Sequence, residues 1–228
     1  MTPLVLIPGM MCDARMWGGI PAALSPRRVC HALPLQGETM SEMAAAILLE
    51  APARFALAGL SMGGIVAMEI LRQAPDRVER LALLDTNPLA EAPEVQARRA
   101  PQIERALAGG LDTVMRDEMK PNYLANPDDM ATLDLCMDMA RALGPDVFQS
   151  QSLALRDRPD QCDTLARFTG PALVLMGELD RPCPRDRHEL MHRLMPQSNF
   201  VIVPDAGHLP PLEQPVATTK ALKTWLDQ

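Results

Sequence analysis

Short apolar runs, separated by helical patterns, restrict this chain to few folds. Six runs are bounded by turn residues and are apolar on both faces: 4–9, 28–35, 54–60, 80–86, 171–177 and 199–205. Strands of that kind suit a parallel sheet that is covered by helices on each side. Helical patterns at 41–51 and 63–74 lie between the runs, and this alternation builds βαβ units. The sequence therefore predicts an α/β fold with a doubly wound, mostly parallel sheet of about six strands.

The alternation stops between about Asn87 and Gly170. Pro and Gly divide this stretch into helical patterns, and no strand-like run interrupts it. The patterns cover 93–110, 111–124, 127–144 and 145–158. A helical insertion within a parallel sheet indicates a lid, although a bundle that only extends the core would show the same pattern. We predict a core of residues 1–87 and 171–228 and a helical cap over 88–170.

The composition of the chain argues against some classes of binding partner. A chain of 228 residues with 47% apolar residues can bury a large core. Its net charge of -7 argues against binding to nucleic acid or to an anionic membrane. The five cysteines include no C-x-x-C pair and are typical of reduced thiols, and the N-terminus has the features of neither a signal peptide nor a membrane span. We expect a cytoplasmic protein with a small-molecule partner, and no pattern indicates its oligomeric state.

Residues 188–192 spell H-E-x-x-H. On a zinc protease helix, the two imidazoles of this motif hold the metal and the glutamate activates water. On a helical wheel, His188 lies at the edge of the apolar stripe, and His192 points away from it toward solvent. Glu213 would be the third ligand, but it lies in a loop flanked by prolines. We predict that the motif is accidental and that the protein holds no metal.

A second motif, G-x-S-x-G, occupies residues 59–63 between a strand-like run and a helical pattern. This context predicts a sharp turn that presents Ser61 as a nucleophile. Gly59 and Gly63 would let the neighbouring backbone approach closely. Alone, the motif also fits a glycine-rich turn with a serine helix cap.

A serine nucleophile needs a base and an orienting carboxylate. His208 follows the last strand-like run, and Asp180 follows the fifth one. With Ser61, both lie beyond the carboxyl ends of predicted strands, where ligands bind in such sheets. Their order along the chain, Ser then Asp then His, is that of one known architecture. Asp85, at the end of the fourth run, is a rival for the acid.

Together these segments resemble the α/β-hydrolase superfamily, and the resemblance covers essentially the whole chain. It is carried by LVLIPGMMCDARMW, GLSMGG, LVLMGELDRPCP and VPDAGHLPPLEQP. The chain is similar to small carboxylesterase-like members that have a helical cap. It begins at the family's third strand, and Pro8-Gly9 stands where most members have His-Gly. The resemblance favours Asp180 over Asp85, because GELDRPCP matches the usual acid segment.

This resemblance implies acyl transfer without a metal or an organic cofactor. Ser61 would attack a carbonyl, His208 would take its proton, and Asp180 would orient the imidazole. The backbone N–H groups of Met10 and Met62 would hold the oxyanion. The leading interpretation is hydrolysis of a small carboxylic ester, or of a related thioester or lactone. C–C hydrolases, lyases, perhydrolases and a non-catalytic binding protein on the same scaffold remain alternatives.

Methionine is unusually frequent, with 16 residues. Flexible thioethers adapt to irregular apolar ligands, so methionines near the reacting centre predict an apolar acyl pocket. Its predicted walls are Met11 from the first loop and Met119, Tyr123, Met137 and Phe148 from the cap.

Overall fold

The computed structural model describes residues 1–228 and contains one parallel sheet of six strands. The strands are β1 (Leu4–Ile7), β2 (Val29–His31), β3 (Phe55–Leu60), β4 (Val78–Leu84), β5 (Ala172–Gly177) and β6 (Asn199–Val203). Their order is β2-β1-β3-β4-β5-β6, and every neighbouring pair is parallel. Every residue of β1, β3 and β5 is buried, which accounts for runs that are apolar on both faces. The predicted fold class is confirmed.

Helices pack on both faces of the sheet. In chain order the α-helices are α1 (Ile20–Ala23), α2 (Met40–Glu50), α3 (Met62–Gln73), α4 (Pro93–Arg105), α5 (Leu111–Thr113), α6 (Met130–Arg156), α7 (Cys162–Ala166), α8 (Arg185–Leu194), α9 (Pro210–Glu213) and α10 (Pro215–Leu226). Side chains alternate along β1, so Val5 packs in one hydrophobic cluster with Met68 of α3, and Leu6 packs in the other with Trp225 of α10. None of the helices combines the length and the apolar character that crossing a bilayer requires.

Most strands are shorter than the apolar runs that predict them, and for β1 and β2 prolines explain the difference. β1 ends at Ile7, because Pro8 has no N–H to donate to a neighbouring strand. β2 covers only Val29–His31, although the run extends from 28 to 35. It lies at the sheet edge with β1 as its single neighbour, and Pro34 cannot extend the ladder.

Between β4 and β5 the chain forms helices and no strand. The long predicted helices there are irregular: π-helical turns occupy 106–110 and 114–119. α6 spans two predicted patterns, which meet at Gly144, where φ is 82°, and at the following Pro145. The irregular turns bring this segment over the carboxyl edge of the sheet, where Met119 and Tyr123 share one cavity with Ser61.

Candidate active site

Ser61 occupies the turn between β3 and α3. Its φ of 54° and ψ of -119° are unfavourable for a residue with a side chain. Two hydrogen bonds hold the turn: the Ser61 N–H donates to the Leu84 carbonyl at 2.9 Å, and Thr86 Oγ1 donates to the Ser61 carbonyl at 2.7 Å. The strained conformation of Ser61 is therefore held by hydrogen bonds to β4 and to Thr86, which follows it.

The two glycines of the motif are required by close backbone packing. A Cβ on Gly59 would overlap the carbonyl of Gly63, and a Cβ on Gly63 would overlap the carbonyl of Ile7. Only glycine therefore lets β1, β3 and α3 approach each other at this turn.

His208 joins the serine to a carboxylate. His208 Nε2 lies 2.9 Å from Ser61 Oγ, and His208 Nδ1 lies 2.9 Å from Asp180 Oδ1. Asp180 and His208 are buried, and Ser61 is half-buried in the floor of a cavity. The His208 N–H donates to the Tyr123 carbonyl at 2.6 Å, and the two rings lie 5.1 Å apart, so Tyr123 fixes the loop that carries the imidazole.

Asp180 is held as a carboxylate in this arrangement. Burial by itself raises the pKa of Asp180, but the charge of His208 and the hydrogen bonds from His208, Cys183 and Asp85 together outweigh burial. The Cys183 N–H also donates to Asp180 Oδ1, at 3.1 Å. The net pKa lies below the ordinary value. Asp180 can therefore keep a proton on His208 Nδ1 and leave Nε2 free to accept the Ser61 proton.

Asp85, the rival acid, has no hydrogen bond to His208. Its Oδ1 accepts the N–H of Gly177 at 2.8 Å, from the adjacent strand β5. Burial raises the pKa of Asp85 well above its usual value, and the charge of Asp180 raises it further. Asp85, Asp180 and His188 have ring or carboxylate atoms within 4.8 Å of one another. A neutral Asp85 can therefore donate a hydrogen bond toward Asp180, whose Oδ2 has no other partner.

The two imidazoles of the H-E-x-x-H segment have different surroundings. His188 is fully buried rather than at the helix edge, and burial lowers its pKa to about 4. Its Nδ1 lies 3.3 Å from the Pro184 carbonyl. His192 is half-buried on another side of α8, with Nδ1 2.8 Å from Ser198 Oγ. The side chains that do cluster with His188 are Asp85 and Asp180, and Asp180 already binds His208.

Two backbone N–H groups are available beside the serine. The N–H of Met10 makes no hydrogen bond within the protein. Met62 is the first residue of α3, and the amides of a first helical turn have no acceptor in their own helix. Both residues line the cavity with Ser61, so their N–H groups can serve an oxyanion there.

Gln151 is a functional candidate that the sequence patterns do not identify. It is fully buried in α6, where its Oε1 accepts the Met11 N–H at 2.9 Å. Its Nε2 donates to the Pro34 carbonyl at 3.2 Å. It thereby fixes the loop that presents the Met10 N–H. A glutamine within a helical pattern is locally unremarkable, because its partners lie 140 and 117 residues away in the sequence.

A cavity of about 680 Å³ opens above Ser61 and His208. Met119 and Tyr123 form part of its wall, as the sequence predicts. Met11, Met137 and Phe148 do not line it, because they are fully buried in the hydrophobic core. Their prediction as substrate contacts is therefore corrected: amphipathic patterns indicate which residues are buried, but they do not distinguish a core position from a pocket wall.

The wall is also more polar than predicted. It includes five arginines and two glutamates: Arg98, Arg99, Arg158, Arg181, Arg187, Glu91 and Glu94. An exclusively apolar acyl pocket is therefore not what the structure contains. The apolar part of the wall includes Met10, Met62 and Ile65, together with Leu89, Val95, Met119 and Leu155.

Comparison with known proteins identifies similar chains of nearly the same length. A model of the alpha/beta hydrolase family matches residues 4–221. A pimeloyl-[acyl-carrier protein] methyl ester esterase of Pectobacterium carotovorum is 28% identical over 239 residues, covering 96% of this chain and 92% of the relative. The protein of that name from Klebsiella pneumoniae is 29% identical over 251 residues, covering 98% and 94%.

Two solved structures are similar to this chain over its whole length. A thermophilic esterase from Thermogutta terrifontis has a TM-score of 0.90 and 32% identity, and the match covers 100% of this chain and 90% of the esterase. The enol-lactonase of Burkholderia xenovorans has the same fold, with a TM-score of 0.87, 23% identity and coverage of 100% and 92%. The family match over nearly the whole chain and the strained strand-to-helix turn at Ser61 agree, so the chain belongs to the alpha/beta hydrolase family.

Proposed function

We propose that this protein is a serine hydrolase that cleaves small carboxylic esters through Ser61, His208 and Asp180. The observation that carries the proposal is the continuous chain of hydrogen bonds from Asp180 through His208 to Ser61 Oγ, at the cavity floor. Support comes from the similar proteins with established names, which include esterases. The helical segment over 88–170 acts as the cap that completes the cavity.

The proposed mechanism uses only protein groups. His208 Nε2 takes the Ser61 proton as Oγ attacks the ester carbonyl, and the Met10 and Met62 N–H groups stabilise the oxyanion. His208 then protonates the alcohol as it leaves, which produces an acyl-enzyme. Water, activated by His208, attacks that acyl group and regenerates Ser61. Thioesters and lactones would react by the same steps.

The names of the relatives support a first choice of ester substrates. The two curated relatives are named for methyl esters of pimeloyl-acyl carrier protein, which supports methyl esters of aliphatic acids as the first substrates to test. All five cysteines are unpaired thiols, which supports a reducing compartment such as the cytoplasm.

Labelling with a fluorophosphonate tests the proposal directly. We expect stoichiometric modification of Ser61, found by peptide mass mapping, with parallel loss of p-nitrophenyl ester hydrolysis. Activity should survive dialysis against a strong chelator. A protein that is neither labelled nor active would instead be a binding protein on this scaffold. Chelator-sensitive hydrolysis without labelling would favour metal chemistry at the H-E-x-x-H segment.

A further inference from the structure

We propose that Arg99 and Arg158 bind a carboxylate that the ester substrate carries in addition to its scissile group. The substrate class is then a half-ester, that is, a dicarboxylic acid with one acid esterified. The inference rests on the proposed ester hydrolysis at Ser61 and specifies its substrate.

The two arginines share one glutamate on the cavity wall. Arg99, on α4, donates from Nε and Nη2 to the two carboxylate oxygens of Glu91, at 3.0 and 2.8 Å. Arg158, just beyond α6, donates from Nη1 to Glu91 Oε1 at 2.8 Å and from Nε to the Leu89 carbonyl at 3.0 Å. All three charged side chains line the cavity that also contains Ser61 and His208.

This cluster has a surplus positive charge. The side chains of Arg99 and Arg158 are each 10% exposed, and that of Glu91 is 2% exposed. One carboxylate between two guanidinium groups leaves one positive charge without a partner, and a poorly solvated, unpaired charge is costly. Burial lowers the pKa of Arg158, and the neighbouring Arg99 lowers it further. A second anion would remove this cost.

Donor groups for that anion remain free. Arg158 Nη2 makes no hydrogen bond within the protein. Arg99 Nη1 has only the Met10 sulfur, at 3.7 Å, and a thioether is a weak acceptor. A guanidinium offers paired N–H groups that match the two oxygens of a carboxylate.

The location indicates that the anion belongs to the substrate itself. Arg99 Nη1 contacts the side chain of Met10, whose N–H is the proposed oxyanion donor. An ester carbonyl at the oxyanion site and a carboxylate at the arginines would therefore occupy one cavity. Its volume of about 680 Å³ is in the range of small-ligand sites.

The charge of the cavity contrasts with that of the chain. The protein has a net charge of -7. Besides the cluster, however, the cavity is lined by Arg98, Arg181 and Arg187 and by a single further acid, Glu94. Concentrated positive charge in a cleft draws anionic ligands toward it.

The test compares two methyl esters of equal acyl length, monomethyl adipate and methyl hexanoate. For the wild type we expect kcat/KM to be at least about tenfold higher for the charged ester, because hydrogen bonds to a charged partner are worth at least that factor. Arg158→Gln leaves a neutral Arg99–Glu91 pair and should abolish this preference. The control is Arg156→Gln, since Arg156 pairs with Asp157 outside the cavity wall, and it should keep the preference.

A wild-type measurement covers the case in which Arg158→Gln does not fold. Added salt should lower kcat/KM for monomethyl adipate and leave that for methyl hexanoate nearly constant, because salt screens charge attraction. Equal kcat/KM for the two esters in the wild type, or a preference that survives in folded Arg158→Gln, would overturn the inference while the esterase proposal stands.

Binding measurements test the carboxylate site independently of the hydrolase proposal. They also distinguish a carboxylate ligand from a phosphate ligand. Calorimetric titration with adipate should show binding to the wild type and weaker binding to Arg158→Gln, even if the protein cleaves no ester at all. Loss of fluorophosphonate labelling with retained adipate binding would overturn only the hydrolase proposal. Binding of inorganic phosphate without binding of adipate would overturn the assignment to a carboxylate.

Discussion

The carboxyl edge of the sheet and the helical segment between β4 and β5 build one cavity in different ways. At the edge, Ser61 follows β3 directly, and Asp180 and His208 follow β5 and β6 within a few residues. Ladder hydrogen bonds set the distances between these strands. In the helical segment, Met119 and Tyr123 come from irregular turns that are positioned by side-chain packing and by isolated hydrogen bonds, such as that from the His208 N–H to the Tyr123 carbonyl.

This difference explains which site residues the sequence pattern predicts correctly. A strand end is a local feature that places the next residue at a known edge of a known sheet. The position of a side chain on a helix over that edge depends on how the helix is rotated and kinked. Substitutions in both regions therefore test two roles. The sheet edge is expected to perform the chemistry, and the helical segment is expected to position the catalytic groups and to select the substrate.

The largest effect is expected at the sheet edge, from Ser61→Ala. The change removes one oxygen and little packing, so hydrolysis should fall by at least about 10⁴-fold with the fold intact. Steady-state p-nitrophenyl ester assays and circular dichroism measure both. Retention of a tenth of the wild-type turnover by pure Ser61→Ala would disprove its role as nucleophile.

The two buried aspartates give the next contrast. Asp180→Asn should lower kcat by about 10⁴-fold, because the amide holds His208 in the wrong tautomer. Asp85→Asn should keep most of the activity, because a neutral Asp85 and an amide both donate hydrogen bonds, and should cost about 1 kcal/mol of stability. kcat and thermal midpoints are compared for both variants. A collapse of kcat in Asp85→Asn, with Asp180→Asn nearly unaffected, would make Asp85 the triad acid.

A smaller effect is expected from the helical segment, at Gln151. Gln151→Leu removes the acceptor of the Met11 N–H and should loosen the loop of the Met10 donor. We expect kcat to fall about tenfold with little change in KM, less than the loss of a whole oxyanion donor. The control is Gln96→Leu, which loses a hydrogen bond to Arg156 of the same segment away from the cavity wall. An equal loss of kcat in both variants would reduce the role of Gln151 to general stability.

The smallest effect on activity, and a clear one on stability, is expected from His188. Its pKa is about 4 in the fold against an ordinary 6.5, so between these values the unfolded chain binds a proton that the folded one does not. Lowering the pH from about 6.5 toward 4 should therefore reduce the free energy of unfolding, by at most on the order of 3 kcal/mol. Urea titrations at several pH values measure this slope.

His188→Gln should make that slope shallower, and His192→Gln should leave it as in the wild type. The two imidazoles belong to the same helix but differ in burial, so the pair isolates the effect of burial. Identical slopes in the wild type and His188→Gln would show that His188 is not held neutral.

Local sequence determined the sheet, the sharp turn at Ser61 and the order of the proposed catalytic residues. Runs that are apolar on both faces require burial on both faces, and a sharp strand-to-helix turn requires small residues beside Ser61. These requirements are met within a few residues, so they can be read without a structure.

Tertiary structure alone decided that Gln151 holds the loop of Met11 and that two arginines share Glu91, and it brought Asp180, which the resemblance favours, to His208. Each of these contacts joins residues 8 to 140 positions apart in the sequence. It also placed Met137 and Phe148 in the core and not on the cavity wall. The reason is physical: a hydrophobic pattern measures the tendency to leave water, whereas a contact between distant residues depends on how whole elements pack.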